Sequence, residues 1–410
     1  MSVLTHQTRG RTGGTTGSLA WLLVLGIVLA ALNLRTAVTS VGPVLDRISS
    51  GLGMSGVGVG LLTTLPVLIF ASVGAVTPAL ARKVGEHRLL LTALVALGSG
   101  LLIRAMVGSA EVFLFSSALA LSGGAVGNVL IPTLIKRHFP GRAGTMTTVY
   151  TTALAAGTML AAAATVPIER ATDGNWHVAL GVWAALAAVA AIPWLALSRS
   201  EPERDTGSND LGPRSLVRSK LAWAVAAYFG TQSMVAYIMF GFLPKMLIDS
   251  GYTPGQAGLT LGVFTAIGIP VSMVVPWIAS KFADQRPVVA AFVVFYTLGF
   301  LGLWLLPSGP AWLFAVLVGI GMGSFPLALT MLALRTRTPE ATAALSAFGQ
   351  SAGYLIAGAG PLVVGVMHEA SGGWTLSFLL LLAVVGVQLA TGWYAGRARY
   401  LEDEKAALTS

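Results

Sequence analysis

The 410-residue chain is 55% hydrophobic and only 10% charged, with a mean hydropathy of +0.79. Because a soluble domain carries about 25% charged residues, this composition excludes a soluble globular protein and indicates a polytopic membrane protein. The chain has no cysteine, which excludes disulfides, thiol chemistry and cysteine-based metal sites. The net charge of +9 does not indicate nucleic-acid binding, because lysine and arginine gather in short loops between apolar segments.

Apolar segments of about 20 residues, long enough to cross a bilayer, recur twelve times along the chain. In chain order the predicted spans are residues 18–45, 56–80, 88–108, 112–136, 143–167, 176–198, 220–247, 256–280, 287–306, 311–334, 341–367 and 374–396. We therefore predict an all-α protein of four parts. These are an N-terminal six-helix bundle (1–198), a cytoplasmic linker (199–219), a C-terminal six-helix bundle (220–398) and a cytoplasmic tail (399–410).

The basic residues predict the orientation of these spans. With both termini in the cytoplasm, 20 of the 25 lysines and arginines lie on the cytoplasmic side. Arg47, Arg104, Arg170 and Lys245 then lie outside or near the outer surface, and Arg35 is left within the first span. Because short cytoplasmic loops are enriched in lysine and arginine, we expect a multi-pass protein of the cytoplasmic membrane with both termini inside.

The two halves of the sequence repeat each other. Pro43 aligns with Pro244 and Pro132 with Pro326, which are 201 and 194 residues apart, and three further matches fall in order between or beyond them. Six-span halves repeated in the same orientation are typical of the major facilitator architecture, which places its binding site near the membrane midplane between the halves. The repeat therefore predicts two pseudo-symmetric bundles that rock about a central cavity. We expect gates around Pro43 and Pro244 on the outside, and near Arg82 and Lys281 on the inside.

Three segments carry a closer resemblance. "LNLRTAVTSVGPVL" (32–45), "LLTTLPVL" (61–68) and "IPTLIKRHFP" (131–140) resemble the cyanate permease family of the major facilitators, which includes members that handle 2-nitroimidazole. The loops "ARKVGEHR" (81–88) and "SKFADQR" (280–286) stand where that superfamily has its signature loop and the repeat of it, although Arg82 occupies a position where an acid is usual. The resemblance implies a single-component secondary carrier for small solutes.

Arg35 is the main candidate for binding a solute. A central arginine costs roughly 2.5 kcal/mol or more on insertion scales, so its side chain should face the bundle interior. The planar guanidinium suits a small anion with several acceptor atoms. In an ideal helix Thr39 lies about 40° around the axis from Arg35 and Asn33 about 200°. One of Arg35 and Asn33 should therefore bind solute while the other ties span 1 to a neighbouring helix. The alternative is that Arg35 pairs with helix-end carbonyls or Asn128 and stabilises the first half.

Other polar groups at membrane depth complete the predicted site, although each of them could equally be a packed core residue. The candidates for substrate binding are Arg35, Asn33, Thr39, Asn128, Tyr150, Gln232, Tyr237, Gln350 and Tyr354. Gln350 and Tyr354 are four residues apart and should share a helix face. The glycines should mainly serve helix packing, and Pro66, Pro270 and Pro361 are expected to kink their helices.

These features favour a transporter over an enzyme or a channel. The five histidines fall in loops or at span ends, so they form no metal or general-base constellation, and no ATP-binding loop occurs. We expect no cofactor, a small and anionic substrate, a monomer in the lipid bilayer, and no nucleic-acid partner. The prediction is a secondary active or facilitative carrier for a cyanate-like anion or a nitroimidazole-like compound, acting by alternating access. Efflux of diverse drugs is the alternative. All 16 acids fall in loops or at span ends, which disfavours a proton-binding carboxylate at the midplane.

Overall fold

The computed structural model describes residues 17–54, 56–199 and 213–404. That part of the chain is helical throughout, with no β-strand, and twelve of its helical segments are long and apolar enough to cross a membrane. The span helices are Gly17–Asn33 and Thr36–Thr39 (span 1), Gly56–Val84 (span 2), Glu86–Arg104 (span 3), Ala110–His138 (span 4), Ala143–Ala171 (span 5), Trp176–Leu197 (span 6), Lys220–Asp249 (span 7), Pro254–Ala266 and Gly268–Lys281 (span 8), Arg286–Leu305 (span 9), Ala311–Gly321 and Ser324–Leu334 (span 10), Pro339–Ser371 (span 11) and Thr375–Ala395 (span 12). The prediction of twelve spans is confirmed.

Spans 8 and 10 are each interrupted; the sequence predicts a kink at Pro270 in span 8 but no break in span 10. In both, a proline is the third residue of the second segment: Pro270 in span 8 and Pro326 in span 10. Proline has no backbone N–H, so the carbonyl four residues earlier loses its helical partner and the helix breaks there. Pro66 and Pro361, by contrast, lie within the unbroken helices of spans 2 and 11.

Span 1 is also interrupted, at Leu34 and Arg35, and here no proline is responsible. Arg35 has φ −115° and ψ −1°, and the Thr36 hydroxyl donates to the carbonyl of Asn33 at 2.8 Å. Such side-chain hydrogen bonds compete with the helical ones. Glycines of spans 4 and 5 let this stretch approach closely. A Cβ on Gly157 would overlap the carbonyl oxygen of Leu32, and one on Gly124 would lie 2.7 Å from that of Leu34.

Helix contacts follow the same plan in both halves. In the first half span 1 packs on spans 5 and 6, span 4 on spans 2 and 3, and span 3 on span 6. In the second half span 7 packs on spans 11 and 12, span 10 on spans 8 and 9, and span 9 on span 12. Each of these pairs thus recurs six spans later, which confirms two pseudo-symmetric six-helix bundles. The halves meet where span 2 packs on span 11 and span 5 on span 8, two contacts that the same symmetry exchanges. The residue limits of the four predicted parts remain a prediction.

Candidate functional site

Arg35 lies at the interface between the halves, where side chains of the second half surround its guanidinium. Nη2 donates to the hydroxyl of Tyr354 on span 11 at 3.5 Å, and Cζ lies 4.9 Å from the ring centre of Phe325 on span 10. Tyr237 of span 7 and Tyr150 of span 5 are close enough to interact with it electrostatically. Within the described part of the chain no carboxylate lies within 4 Å of the Arg35 side chain. The site therefore has a half-buried cation without an anionic partner.

Aromatic rings form one wall beside Arg35. The Tyr354 ring centre lies 5.2 Å from that of Phe70 and 5.1 Å from that of Phe229, the second contact being edge-to-face. Phe229 in turn lies 6.0 Å from Phe325. Sequence reasoning missed these three phenylalanines, because a phenylalanine in an apolar span carries no periodic signal that separates a site wall from ordinary core. We call Phe70, Phe229, Phe325 and Tyr354 the aromatic cluster.

Three of the predicted site residues form a connected group beside the aromatic cluster. The hydroxyl of Tyr150 donates to Oδ1 of Asn128 at 3.3 Å. Nε2 of Gln350 donates to the backbone carbonyl of Asn128 at 3.0 Å and to the hydroxyl of Ser346 at 2.8 Å. Nδ2 of Asn128 and Oε1 of Gln350 are buried without a hydrogen-bond partner among the described residues. The group joins spans 4 and 5 of one half to span 11 of the other.

Three other predicted site residues donate hydrogen bonds to backbone carbonyls, and one of them, Gln232, donates to the hydroxyl of Ser233 as well, at 2.6 Å. Asn33 is fully buried and its amide donates to the carbonyls of Leu29 at 2.8 Å and Leu186 at 3.3 Å, so it ties span 1 to span 6. Gln232 is also fully buried and donates to the carbonyl of Phe229 at 3.0 Å. The hydroxyl of Thr39 donates to the carbonyl of Arg35, one turn earlier, at 3.0 Å. None of these three side chains forms a hydrogen bond with the Arg35 guanidinium in the described chain.

A second arginine lies inside the first half. Arg104 was expected outside or near the outer surface, yet it is fully buried at the end of span 3. It donates to the carbonyl of Ala37 and to the hydroxyl of Ser40, both at 2.8 Å. Its place at the end of span 3 agrees with a position near one membrane surface, but a charge count did not predict its burial, because that count takes no account of which neighbouring helix a residue contacts.

Polar contacts between the halves gather at the end of the bundle where span 1 begins and span 12 ends, which we call the terminus face. Nζ of Lys136 donates to the carbonyls of Ala333 at 3.0 Å and Thr336 at 2.9 Å. Arg137 pairs with Glu340 of the second half at 2.7 Å. We call the opposite end of the bundle the far face. Among the described residues, the hydrogen bond between the halves that lies nearest the far face is that of Arg35 with Tyr354. The two halves are therefore tied together at the terminus face.

Within each half, the two signature-like loops carry ion pairs of their own. In the first loop Glu86 accepts from Nε of Arg137 at 3.1 Å. In the second, Asp284 accepts from Arg286 at 2.5 Å, and these hydrogen bonds lower the pKa of Asp284 to about 2. Asp284 is therefore ionised at any physiological pH, and the pair stays charged.

Twelve spans in two repeated bundles, with a polar site between the bundles, are the architecture of the major facilitator transporters. The chain belongs to the Major Facilitator Superfamily, whose model matches residues 23–361, so it is a multi-pass membrane transporter and not an enzyme.

Three curated relatives are similar over nearly the whole chain. The transporter YycB of Bacillus subtilis (strain 168) is 37% identical, over 93% of this chain and 96% of its own. The 2-nitroimidazole transporter of Escherichia coli (strain K12) is 34% identical over 89% and 94%, and the cyanate transport protein CynX of the same organism is 29% identical over 90% and 96%. These matches confirm the resemblance seen in the sequence.

Solved structures confirm the fold. The proton:xylose symporter XylE bound to 6-bromo-6-deoxy-D-glucose matches with a TM-score of 0.75, over 97% of this chain and 100% of its own. Its identity is 15%, so the likeness concerns architecture alone.

Proposed function

We propose that this transporter moves a small, flat anion, or a weakly acidic or nitro-bearing aromatic solute, and that Arg35 binds it. The observation that supports this is the position of Arg35 between the halves, beside aromatic rings and with no carboxylate of the described residues within 4 Å. A desolvated cation is costly without a counter-ion, and a bound anion supplies one. The guanidinium fork suits two acceptor atoms in one plane, as in a carboxylate or nitro group.

The aromatic cluster supports the choice of a flat solute. Rings packed edge-to-face leave flat surfaces on which another flat π system can lie. Asn128 and Gln350 have unpartnered amide atoms close by, which can accept or donate one hydrogen bond each when the halves move. The relatives named for 2-nitroimidazole and cyanate transport agree with this proposal, because both compounds are small and carry several acceptor atoms.

We place both termini, and hence the terminus face, in the cytoplasm, because 20 of the 25 basic residues then lie inside. The contacts of Lys136 and Arg137 with the second half then close the cytoplasmic side. One chain supplies both halves of the site, so a monomer suffices. Direction of transport follows from the summed gradients of the solutes, and efflux of neutral aromatic drugs is the alternative that the aromatic cluster favours.

The test is transport by purified protein in liposomes with radiolabelled cyanate, 2-nitroimidazole and benzoate. A carrier of this kind shows uptake that saturates, and counterflow when the unlabelled compound is preloaded. Anionic probes should compete with one another for the site. If only neutral, bulky aromatic compounds were transported, the efflux alternative would replace the anion proposal; flux without saturation or counterflow would contradict a carrier altogether.

A further inference from the structure

Arg104 is a charged group that the proposed transport step does not use. Its side chain is fully buried, and within the described chain no carboxylate lies within 4 Å of it. Nη1 donates to the carbonyl of Ala37 and Nη2 to the hydroxyl of Ser40, both at 2.8 Å, while Nε has no partner. A buried charge without a counter-ion is costly, and an apolar side chain could fill the same space without that cost.

The acceptors of Arg104 belong to the interrupted part of span 1. In a continuous helix the carbonyl of Ala37 would accept from the N–H of Val41, but that N–H donates to Val38 at 3.4 Å. Arg104 supplies the donor that is lost where the short helix Thr36–Thr39 ends. The hydroxyl of Ser40 donates in turn to the carbonyl of Thr36 at 2.6 Å. These hydrogen bonds therefore fix the turn that follows Arg35.

The second half provides an internal comparison. Span 7, which corresponds to span 1, runs unbroken from Lys220 to Asp249. The part of span 9 that corresponds to the end of span 3, about 200 residues on, reads Gly302, Leu303 and Trp304 and contains no cation. At these equivalent positions the arginine and the break in the first span of a half occur together in the first half, and neither occurs in the second half; the buried arginine of the second half, Arg335, lies instead at the end of span 10.

We propose that Arg104 is a positioning residue that fixes the interrupted segment of span 1, so that Arg35 faces the aromatic cluster. The expected effect of Arg104 on transport rests on the proposed function of Arg35. The expected effect of Arg104 on the position of the segment does not rest on it, so an experiment can test the positioning role and the proposed function separately.

The chain has no cysteine, so a single introduced cysteine can report on this segment without background. Val38→Cys lies on the segment, and Ala236→Cys lies 198 residues further on, on the unbroken span 7; both native side chains are half-buried. Adding Arg104→Met should raise the rate at which a small maleimide labels position 38 by at least about tenfold, because both hydrogen bonds of the charged group are lost and one such bond alone corresponds to about tenfold. The labelling rate at position 236 should stay the same.

Two milder variants keep the test decisive if Arg104→Met does not fold. Ser40→Ala removes the acceptor of Nη2, and Arg104→Lys keeps the charge but loses the two-pronged contact; each should raise labelling at position 38 by a smaller factor. Thr92→Ala, which lies on span 3 like Arg104, removes only a hydrogen bond within its own helix and serves as the control. Unchanged labelling in folded Ser40→Ala and Arg104→Lys protein would overturn the proposal.

The transport readout in the same proteins uses 2-nitroimidazole counterflow. A displaced Arg35 should raise KM while the maximal rate per folded molecule stays near that of the parent, whereas a merely structural role would reduce the amount of folded protein and leave KM alone. If labelling changed but Arg35→Ala transported normally, the positioning role would stand and the proposed function would fail.

Discussion

Arg35 and Tyr354 lie 319 residues apart in the sequence, yet the guanidinium Nη2 of one is 3.5 Å from the hydroxyl of the other. The contact joins span 1 of the first half to span 11 of the second. Any movement that separates the halves at this depth breaks it, so a residue proposed to bind the solute also takes part in the contact between the halves.

We expect Arg35→Ala to abolish saturable transport while the protein still inserts and purifies as a single species. Loss of one charged hydrogen bond should weaken binding by about 1.5–3 kcal/mol, roughly 10- to 150-fold. Arg35→Lys should restore little, because an ammonium lacks the planar fork. Competition binding with benzoate measures the loss. Arg170→Ala, which removes an exposed arginine, is the matched control, and normal transport by Arg35→Ala would refute the binding role.

Tyr354→Phe should separate the hydroxyl of the aromatic cluster from its ring. The variant keeps the contacts with Phe70 and Phe229 but removes the partner of Arg35, so we expect KM to rise by a few-fold at unchanged thermal stability, as for one hydrogen bond of about 1 kcal/mol. Tyr354→Ala should in addition lower the melting temperature, because it empties a packed position. Equal KM values in both variants and the parent would show that Tyr354 is packing alone.

Gly157→Ala should destabilise the first half, because the added Cβ would overlap the carbonyl oxygen of Leu32 and the backbone must move. Overpacking of this kind costs about 1–3 kcal/mol. Gly141→Ala is the control, since its Cβ meets nothing within 4 Å. Thermal unfolding in detergent, followed by tryptophan fluorescence, should show a lower melting temperature for Gly157→Ala only. An unchanged value for both would mean that span 1 does not require this close approach.

Glu340→Gln should loosen the terminus face, because it removes the partner of Arg137 in the second half and leaves Glu86 in place. The side chains of Arg137 and Glu340 are partly exposed, so the loss of this ion pair should destabilise the closed form by at most about 1 kcal/mol, which changes the ratio of open to closed forms up to about fivefold. A cysteine at Ala343, buried near the start of span 11, should then react faster with a water-soluble maleimide. Asp284→Asn, which breaks a pair within one half, should leave that rate unchanged; equal rates in the two variants would argue against a gate here.

Transport of a permanently charged anion such as thiocyanate should not respond to a pH gradient at clamped voltage. The acids whose side chains the structure describes lie in loops or near helix ends, and the most deeply buried of them, Glu169, pairs with Arg47 at 2.5 Å. A carboxylate that loads and unloads a proton at membrane depth is therefore lacking among them. Flux measured with an imposed pH difference tests this, and accumulation of thiocyanate by that difference alone would contradict it.

The sequence predicted the number of spans, the duplication and the family, because hydropathy, repeat spacing and motifs can be read along the chain without knowing which helices are in contact. It also named Arg35, Tyr150, Tyr237 and Tyr354, which the structure brings together. It failed where a neighbouring helix decides the outcome. The ideal-helix angles drawn through Asn33, Arg35 and Thr39 do not apply, because span 1 is interrupted between them. The environment of Arg104 depends on Ala37 and Ser40, which lie more than 60 residues away.

The described part of the chain places no carboxylate beside Arg35, and this has a kinetic consequence. When the halves close over an empty site, the guanidinium must be enclosed with its full charge, whereas a bound monovalent anion cancels that charge. Desolvation of an unpaired cation raises the barrier to closure, so the loaded carrier should reorient faster than the empty one. We therefore expect one-for-one exchange to outpace net flux, and the return of the empty carrier to be the electrogenic step, which trans-stimulation and voltage-jump measurements can separate.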